Sequence, residues 1–330
     1  MRHQLIEKMS NLPLIEPKPD QKHLLDQQQD YLHQATAHNT RRAYQAAIRQ
    51  FEAQGGLLPA TEQAIAQYLT RQASQLNPRT LSLHLTALSH WHRYQKLPDP
   101  TQTPQIRKLL IGIYRQHGQP KRKAKALHPE HLEQMIAQCQ KAPSLKALRD
   151  RALIQVAYFG AFRRSELIAM NVEHLHFDPN GLLILIPKSK TDQTGEGKIK
   201  ALPYGHGKVC PVTAMKQWLE ASKIGAGPVF RAINRWDVVQ NKKLHPDSVS
   251  TIIKSVARSC AFDFVDQLSS HSLRRGFATS AARAGADFED IKRQGGWRND
   301  NTVREYIEEG QLFDKNAADQ LIKNSFNKKV

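Results

Sequence analysis

The sequence has few cysteines and no long apolar run. Its three cysteines, Cys139, Cys210 and Cys260, are widely spaced and odd in number, which fits neither a disulfide framework nor a zinc-binding pattern. No segment approaches the ~18 apolar residues of a membrane-spanning helix, and residues 1–22 contain no hydrophobic signal core. We therefore expect a reduced, cytoplasmic protein with no membrane partner.

Several motifs of common enzyme classes are also missing. The chain contains no nucleotide-binding P-loop and no His-Glu-x-x-His metalloprotease motif. No pair of carboxylates stands out as an acid–base couple. These absences fit a reaction that uses no metal and no bound cofactor.

Positive charge is what the chain has in excess. It contains 48 Lys and Arg against 30 Asp and Glu, a net charge of +18, with a pI of about 9.9. Such an excess favours a polyanionic partner, most often nucleic acid. The other interpretation, a basic protein with no such partner, stays open on composition alone.

The N-terminal third shows apolar residues at helical spacing. After a polar, proline-containing arm at 1–22, a helix is predicted at 23–36 and a second from an N-cap at Asn39 or Thr40 to Gly55-Gly56. The following helices are predicted from Thr61 through Leu69, from Asn77 to Tyr94 and from about Pro104 to His117. We expect one all-helical domain at 23–118.

A basic stretch at 119–127 predicts an exposed linker to a second domain at 128–330. Alternating apolar residues then predict three short antiparallel strands, in the stretches VEHLHF, GLLILIP and IKALPY. The remaining elements are helical, predicted at about 129–140, 144–160, 211–222, 246–262 and 313–325.

The stretch from His271 to Tyr306 collects groups that suit a phosphate. His271 and Arg274 are three residues apart and share one face of a helix. Trp297 adds an indole N–H, and Tyr306 adds a hydroxyl that can attack a phosphorus atom once a base or nearby cations activate it. Each of these features alone is more often explained by a solvated helix face or a core side chain. The combination gains weight from further cations upstream, at Arg163 and Lys190.

With these residues in hand, the chain resembles the tyrosine recombinases of the phage integrase family, and among them the Cre-like site-specific recombinases. The Arg-x-Ser-Glu-Leu segment at 163–167 is similar to the family's first arginine box, and His-x-x-Arg at 271–274 to its second. The segment GGWRNDNTVREYI resembles the approach to the nucleophile, with Trp297 where many members have histidine. The similarity covers about residues 25–325.

The resemblance implies a mainly α fold with a small antiparallel β-sheet. It implies an all-helical N-terminal core-binding (SAM-like) domain, followed by an α+β tyrosine-recombinase catalytic domain. The activity implied is site-specific DNA recombination without a metal or a bound cofactor, with cleavage and religation through a 3′-phosphotyrosine and a Holliday junction, in integration, excision or resolution. The implied setting is the nucleoid of a bacterial cytoplasm.

The resemblance also assigns roles to residues. Tyr306 is the expected nucleophile, and Lys190 the general acid for the leaving oxygen, preferred to Lys188 and to the lesser candidate Lys198. Glu166 is expected to position Arg163 or His271, although a purely structural salt bridge is an equal alternative. Arg163, Arg274 and Trp297 are the expected phosphate ligands. Arg163 is preferred to Arg164 because it fits the register of the motif. His271 is expected either to accept the tyrosine proton or to bind the phosphate.

The implied partner is double-stranded DNA that carries an inverted-repeat recombination site. A homotetramer on two DNA sites is expected, joined by exchange of the C-terminal helix at 313–325. Two other functions remain open at this point: a type IB topoisomerase-like enzyme, and a DNA-binding regulator that keeps the fold without cutting. The residues expected to contact DNA are Arg41, Arg42, Arg79, Lys121, Arg122, Lys123, Arg164, Lys254 and Arg258.

Overall fold

The computed structural model describes residues 19–142, 144–187, 197–311 and 317–325. The chain forms two compact units that meet between Lys121 and Arg122. This division falls inside the segment 119–127 that the sequence indicates as a linker.

Helices alone make up the described part of the N-terminal unit, apart from loops and one 3-10 turn. Its core is formed by apolar side chains at helical spacing, including Phe51, Leu69 and Leu88, all fully buried. Thr61 and Asn77 cap two of the helices by accepting backbone N–H groups, as their sequence positions predict. The helices are α1 (Pro19–Gln34), α2 (His38–Ala53), α3 (Glu62–Gln72), α4 (Pro78–Tyr94) and α5 (Pro104–His117).

Two helix starts differ from the sequence prediction. The first helix begins at Pro19, four residues inside the segment expected to be a flexible arm, because proline is well tolerated in the first turn of a helix. The second begins at His38, so Asn39 and Thr40 lie within it and Ala37 takes the cap position without a side-chain hydrogen bond. The other residues of the predicted arm, 1–18, lie outside the described residues.

The C-terminal unit combines helices with two small antiparallel sheets. Its core surrounds α7, whose residues from Ala152 to Tyr158 are all buried. The helices are α6 (Pro129–Lys141), α7 (Leu145–Phe159), α8 (Arg164–Ile168), α9 (Pro211–Ser222), α10 (Pro246–Ser259), α11 (Ser270–Arg283), α12 (Phe288–Gly295), α13 (Asp300–Gly310) and α14 (Ala317–Ser325). The mainly helical fold with small antiparallel sheets confirms the expected fold class.

The first sheet has the three strands that alternating apolar residues predict. β1 (Leu175–Asp178), β2 (Gly181–Ile186) and β3 (Lys198–Pro203) lie in sequence order, and all neighbours are antiparallel. Leu182 pairs with Leu202, and Ile184 pairs with Lys200. This register brings Lys200 onto the buried side of the sheet.

The sequence prediction missed a second, two-stranded sheet. It consists of β4 (Arg231–Ile233) and β5 (Val239–Lys243). β5 ends in the polar residues QNKK, so its sequence has no alternating apolar pattern. Asp237, in the connecting turn, accepts backbone N–H groups of Leu145 and Lys146 at the start of α7. The hairpin therefore anchors the N-terminus of the central helix.

The second half of the predicted linker is part of the C-terminal unit. Ala126 and Leu127 are buried, and the N–H of Leu127 donates to the carbonyl of Ser272 in α11 at 3.2 Å. Gly276 permits this approach, since a Cβ on it would stand 1.9 Å from the Leu127 carbonyl oxygen. In the described part of the chain, none of the helices is long and apolar enough to span a membrane.

Candidate active site

The first arginine of the site stands in the turn between α7 and α8. Gly160 ends α7, Ala161 adopts a left-handed backbone conformation with φ of 44°, and Arg163 is extended at the N-cap of α8. A Cβ on Gly160 would overlap the Phe162 ring at 2.1 Å. The tight turn therefore depends on glycine, and it directs Arg163 away from the helix that precedes it.

Glu166 holds Arg163 in place at both ends. One carboxylate oxygen accepts the Arg163 backbone N–H at 2.9 Å, and the other accepts its Nη1 at 2.6 Å. Burial alone would raise the pKa of Glu166, but the hydrogen bonds and charge of Arg163 outweigh it and leave that pKa below its ordinary value. Of the two partners that the sequence suggests for Glu166, the structure places Arg163 against it. Arg164, the neighbour, instead pairs with Asp247.

Arg274 is the most deeply buried charge of the group. It lies on α11, is 4% exposed, and its Nη1 donates to the carbonyls of Ala161 and Gly295. Its guanidinium stacks on the Trp297 ring, 4.0 Å from the ring centroid. Burial, followed by the nearby Arg163, lowers the pKa of Arg274 to about 10 against opposing effects of Glu166 and Tyr306. The Nη2 atom is buried and has no hydrogen-bond partner among the described residues.

The Gly-Gly-Trp segment has a structural reason for each residue. Gly295 ends α12, and a Cβ there would lie 1.7 Å from the Trp297 ring. Gly296 has φ of 66°, a left-handed C-cap that favours glycine. Its carbonyl accepts Arg163 Nη2 at 3.0 Å, while the Gly295 carbonyl accepts Arg274. The two glycines thus bring both arginines and the indole together.

Tyr306 lies in the middle of α13 and faces Trp297. Their ring centroids are 5.7 Å apart in a tilted, edge-on arrangement, and Tyr306 is half-buried. Salt bridges of nearby residues connect α13 to the rest of the unit. Glu309 pairs with Arg275 on α11. Glu305, next to Tyr306, pairs with Lys123. The nucleophile predicted from sequence therefore stands beside the arginine cluster on a secured helix.

The remaining predicted catalytic residues are placed unequally. His271 is exposed in the first turn of α11, one turn before Arg274. Lys190, the predicted general acid, and Lys188 lie outside the described residues. Lys198, the lesser candidate, is exposed at the start of β3.

Lys200 is a site residue that the sequence interpretation missed. It is 6% exposed, its Nζ donates to the Gly160 carbonyl, and it lies 4.6 Å from the Phe162 ring centroid. Burial and then Arg274 lower the pKa of Lys200 to about 7. Strand alternation could have indicated it, since Lys200 shares a face with the buried Leu202. Lys200 and Arg274 thus hold the consecutive carbonyls of Gly160 and Ala161.

Gln294 adds a second unforeseen connection. Its side-chain amide donates to the carbonyls of Phe159 at 2.9 Å and Ala201 at 3.1 Å. It therefore links α12 to the end of α7 and to β3. A lone glutamine in a polar stretch carries no sequence signal for such a position.

The nine residues expected to contact DNA occupy varied surroundings. Arg42, Lys121, Arg122 and Arg258 are exposed. Arg79 donates to the Gln119 carbonyl at 3.1 Å. The others contact protein groups: Arg41 the Thr36 carbonyl, Lys123 Glu305, Arg164 Asp247 and Lys254 the Asp266 carbonyl.

Taken together, the cluster suits an oxyanion rather than a metal. Two arginines and a buried lysine face one carboxylate, Glu166, which Arg163 already engages on both oxygens. Across the described ranges, no group of three or more His, Cys, Asp or Glu side chains is placed to hold a metal ion. The buried Nη2 donor of Arg274, which has no hydrogen-bond partner among the described residues, would be satisfied by a bound anion.

Comparison with known proteins gives consistent similarities. The model of the phage integrase family matches residues 125–311. The chain is 35% identical over 268 residues to the integrase/recombinase xerD homolog of Selenomonas ruminantium, covering 80% of this chain and 78% of that protein. It is 25% identical over 269 residues to the recombinase cre of Escherichia phage P1, covering 76% of each.

A solved structure shares the fold. A lambda integrase dimer bound to a COC′ core site superposes with a TM-score of 0.60 at 14% identity, over 93% of this chain and 85% of that one. The similarity in fold extends through both units of the chain.

Proposed function

The chain belongs to the phage integrase family of tyrosine-type site-specific recombinases, and we propose that it cleaves and rejoins DNA through a 3′-phosphotyrosine intermediate and a Holliday junction. The substrate is double-stranded DNA with an inverted-repeat site, and the outcome is integration, excision or resolution. The net charge of +18 supports binding to a DNA backbone.

The observation that carries this proposal is the state of Arg274. Its guanidinium is buried against Trp297, beside Tyr306, with Nη2 unpartnered. A buried cation with an unmatched donor is costly unless an anion completes it. A scissile phosphate in front of Tyr306 would supply that anion, and Arg163 would hold a second non-bridging oxygen with its planar fork.

The chemical step follows from this arrangement. The Tyr306 oxygen attacks the phosphorus, a P–O bond to tyrosine forms, and the bond to the 5′-oxygen breaks. His271 accepts the tyrosine proton or stabilises the phosphate, and Lys190 gives a proton to the departing 5′-oxygen. Arg163, Arg274 and the Trp297 indole stabilise the pentavalent transition state, where loss of one such donor typically costs about 10²–10³ in rate.

Religation reverses the same step with a different strand. The phosphotyrosine retains the energy of the broken phosphodiester, so the 5′-hydroxyl of a partner strand can displace Tyr306 without ATP. Glu166 acts as a positioning residue, since it fixes both the backbone and the guanidinium of Arg163.

Strand exchange requires several protomers, and a homotetramer on two DNA sites is part of the proposal. The C-terminal helix α14 supports it, because Leu321 is 59% and Ile322 is 55% exposed. Two adjacent large apolar side chains on a terminal helix suit docking onto a neighbouring protomer. Leu321→Glu should weaken the tetramer on DNA while leaving a single protomer able to bind its half-site, as mass photometry would detect.

Covalent trapping tests the central claim. DNA fragments carrying inverted repeats, taken from the replicon that encodes the chain, would be nicked so that a short 5′ piece leaves after cleavage. Wild type and Tyr306→Phe would be compared on a denaturing gel in the presence of EDTA. We expect a slow protein–DNA band with wild type only, joined at a 3′-phosphate.

Two other outcomes would contradict the proposal. Tight DNA binding by both proteins with no adduct would favour a regulator that does not cut. An adduct that leads only to relaxation of supercoils, with no exchange between two sites, would favour a type IB topoisomerase-like activity.

A further inference from the structure

A polar cavity lies in the C-terminal unit, between α7 and the start of α9. It has a volume of about 120 Å³, enough for roughly four water molecules or one four-oxygen ion. Among the described residues, none of those that line it carries a carboxylate. The side chains that matter to its chemistry are Arg151, Gln155, Lys208, Thr213 and Gln217.

Arg151 brings a buried positive charge to this cavity. It is 9% exposed, and its Nη2 donates to the Gln217 side-chain oxygen, while Nε has no partner within the ranges that the structure describes. No carboxylate forms an ion pair with it among the described residues, in contrast to its neighbour Arg149, which pairs with Asp150. Burial lowers the pKa of Arg151, and Cys139 opposes this effect.

Gln155 lies one turn further along α7, on the same face. It is fully buried, and in the described part of the chain neither its amide nitrogen nor its amide oxygen has a hydrogen-bond partner. Leaving such a group unsatisfied costs about 1–3 kcal/mol. Unsatisfied polar atoms of two buried side chains that line one cavity, Nε of Arg151 and the amide of Gln155, indicate a ligand that both can bind.

The N-terminus of α9 adds to the positive potential. Cys210 is the N-cap residue, and its sulfur accepts the Thr213 N–H at 3.4 Å. The positive end of the helix dipole favours an anion at this place. Lys208 lines the same cavity and is exposed to solvent, so a charged ion has a basic route of entry.

We infer that this cavity is an oxyanion-binding site, built from the guanidinium of Arg151, the amide of Gln155, the ammonium of Lys208 and the start of α9. The ligand class is a tetrahedral oxyanion of phosphate or sulfate size, either free in solution or a phosphate of a nucleic-acid backbone. The site is separate from the catalytic turn, because Arg151 precedes Gly160 by nine residues of helix, roughly 13 Å.

Thermal unfolding at constant ionic strength tests the inference on the full chain. Chloride would be replaced by inorganic phosphate for wild type, Arg151→Met, Lys208→Ala and the control Arg235→Met, which removes an exposed arginine of the same unit. Phosphate at ten times its Kd should raise the Tm of wild type and of the control by about 3 °C more than that of Arg151→Met. Lys208→Ala should bind phosphate several-fold more weakly without loss of stability in chloride.

The comparison between variants separates this cavity from the catalytic arginines, which also attract phosphate. Equal stabilisation of wild type and Arg151→Met by phosphate would overturn the inference and leave water as the occupant. Arg151→Met also tests folding directly. In chloride it should be at least as stable as wild type, since it removes an uncompensated buried charge.

A second measurement distinguishes the two sources of the oxyanion. Fluorescence polarisation would compare binding of a labelled DNA duplex to wild type and Arg151→Met. A roughly tenfold weaker duplex affinity of Arg151→Met, with stronger competition by free phosphate in wild type than in Arg151→Met, identifies a backbone phosphate. Unchanged duplex affinity together with the phosphate-dependent Tm shift identifies a free ion.

Discussion

Replacing Lys200 with methionine tests the electrostatics of the active site more directly than removal of a catalytic residue. Lys200 is 6% exposed, and its charge lies near Arg274 of α11, Arg163 and Glu166 at the start of α8, and Lys198 on its own strand. Burial, and then the positive charge of Arg274, lowers its pKa to about 7, with partial compensation from Glu166. Methionine has a similar length and no charge.

The sign of the effect follows from proton linkage. The unfolded chain keeps the lysine proton up to about pH 10.5, whereas the folded protein releases it near pH 7. Between these values unfolding takes up a proton, so the free energy of unfolding increases with pH, by about 1.4 kcal/mol per pH unit at most. This stability is lost again as the pH falls through 7, where the buried ammonium regains its charge.

Lys200→Met should remove this pH dependence. The free energy of unfolding of the variant minus that of wild type should be highest at pH 6. This difference should fall by about 2 kcal/mol between pH 7 and pH 9. The difference between the two proteins cancels groups that titrate in both. At high pH the variant should be less stable, because the Gly160 carbonyl loses its donor.

Urea unfolding followed by circular dichroism at pH 6, 7, 8 and 9 measures these differences. Lys198→Met makes the same chemical change at an exposed position of β3 and should give a nearly constant difference from wild type. A Lys200→Met difference that stays constant within a few tenths of a kcal/mol over this range would refute the buried-lysine argument.

Three further changes test the packing and the site. Gly276→Ala should destabilise the protein by ~2 kcal/mol or more, because a Cβ would stand 1.9 Å from the Leu127 carbonyl oxygen. The control Gly112→Ala, with open space around the added Cβ, should be neutral or stabilising in the same thermal unfolding measurement. Glu166→Gln should reduce covalent adduct formation up to about 100-fold through displacement of Arg163, with DNA affinity unchanged. An equal reduction of adduct formation and of DNA affinity would contradict a positioning role. Thr61→Ala should cost ~1 kcal/mol in urea unfolding, and no cost would refute its capping role.

Local chemistry explains why much of the architecture could be predicted. Apolar residues at helical spacing and the caps at Thr61 and Asn77 define helices whose starts the structure confirms. Strand alternation predicts the three-stranded sheet and its order. The start of the first helix at Pro19 and the β4–β5 hairpin were missed, since their sequences are polar or too short to show a period.

For the candidate site too, the sequence predicts one part and the tertiary structure decides another. Arg163, Arg274, Trp297 and Tyr306 stand in motifs whose spacing is local, so the family could be inferred from their order in the sequence. How they are held could not be inferred, because it depends on carbonyls distant in sequence. Arg163 binds the carbonyl of Gly296, and Arg274 binds that of Gly295.

Burial of polar groups is decided only by the tertiary structure. Lys198 and Lys200 are two residues apart on one strand, yet one is exposed and the other is enclosed by α8 and α11. Arg151 likewise follows Arg149 by two residues, and of the two only Arg149 has a carboxylate partner among the residues that the structure describes. The sequence determines which side chain stands at a position, but the solvent exposure of that side chain and its charged neighbours depend on the elements packed around it. That is why the basic groups with shifted pKa values became visible only in the folded chain.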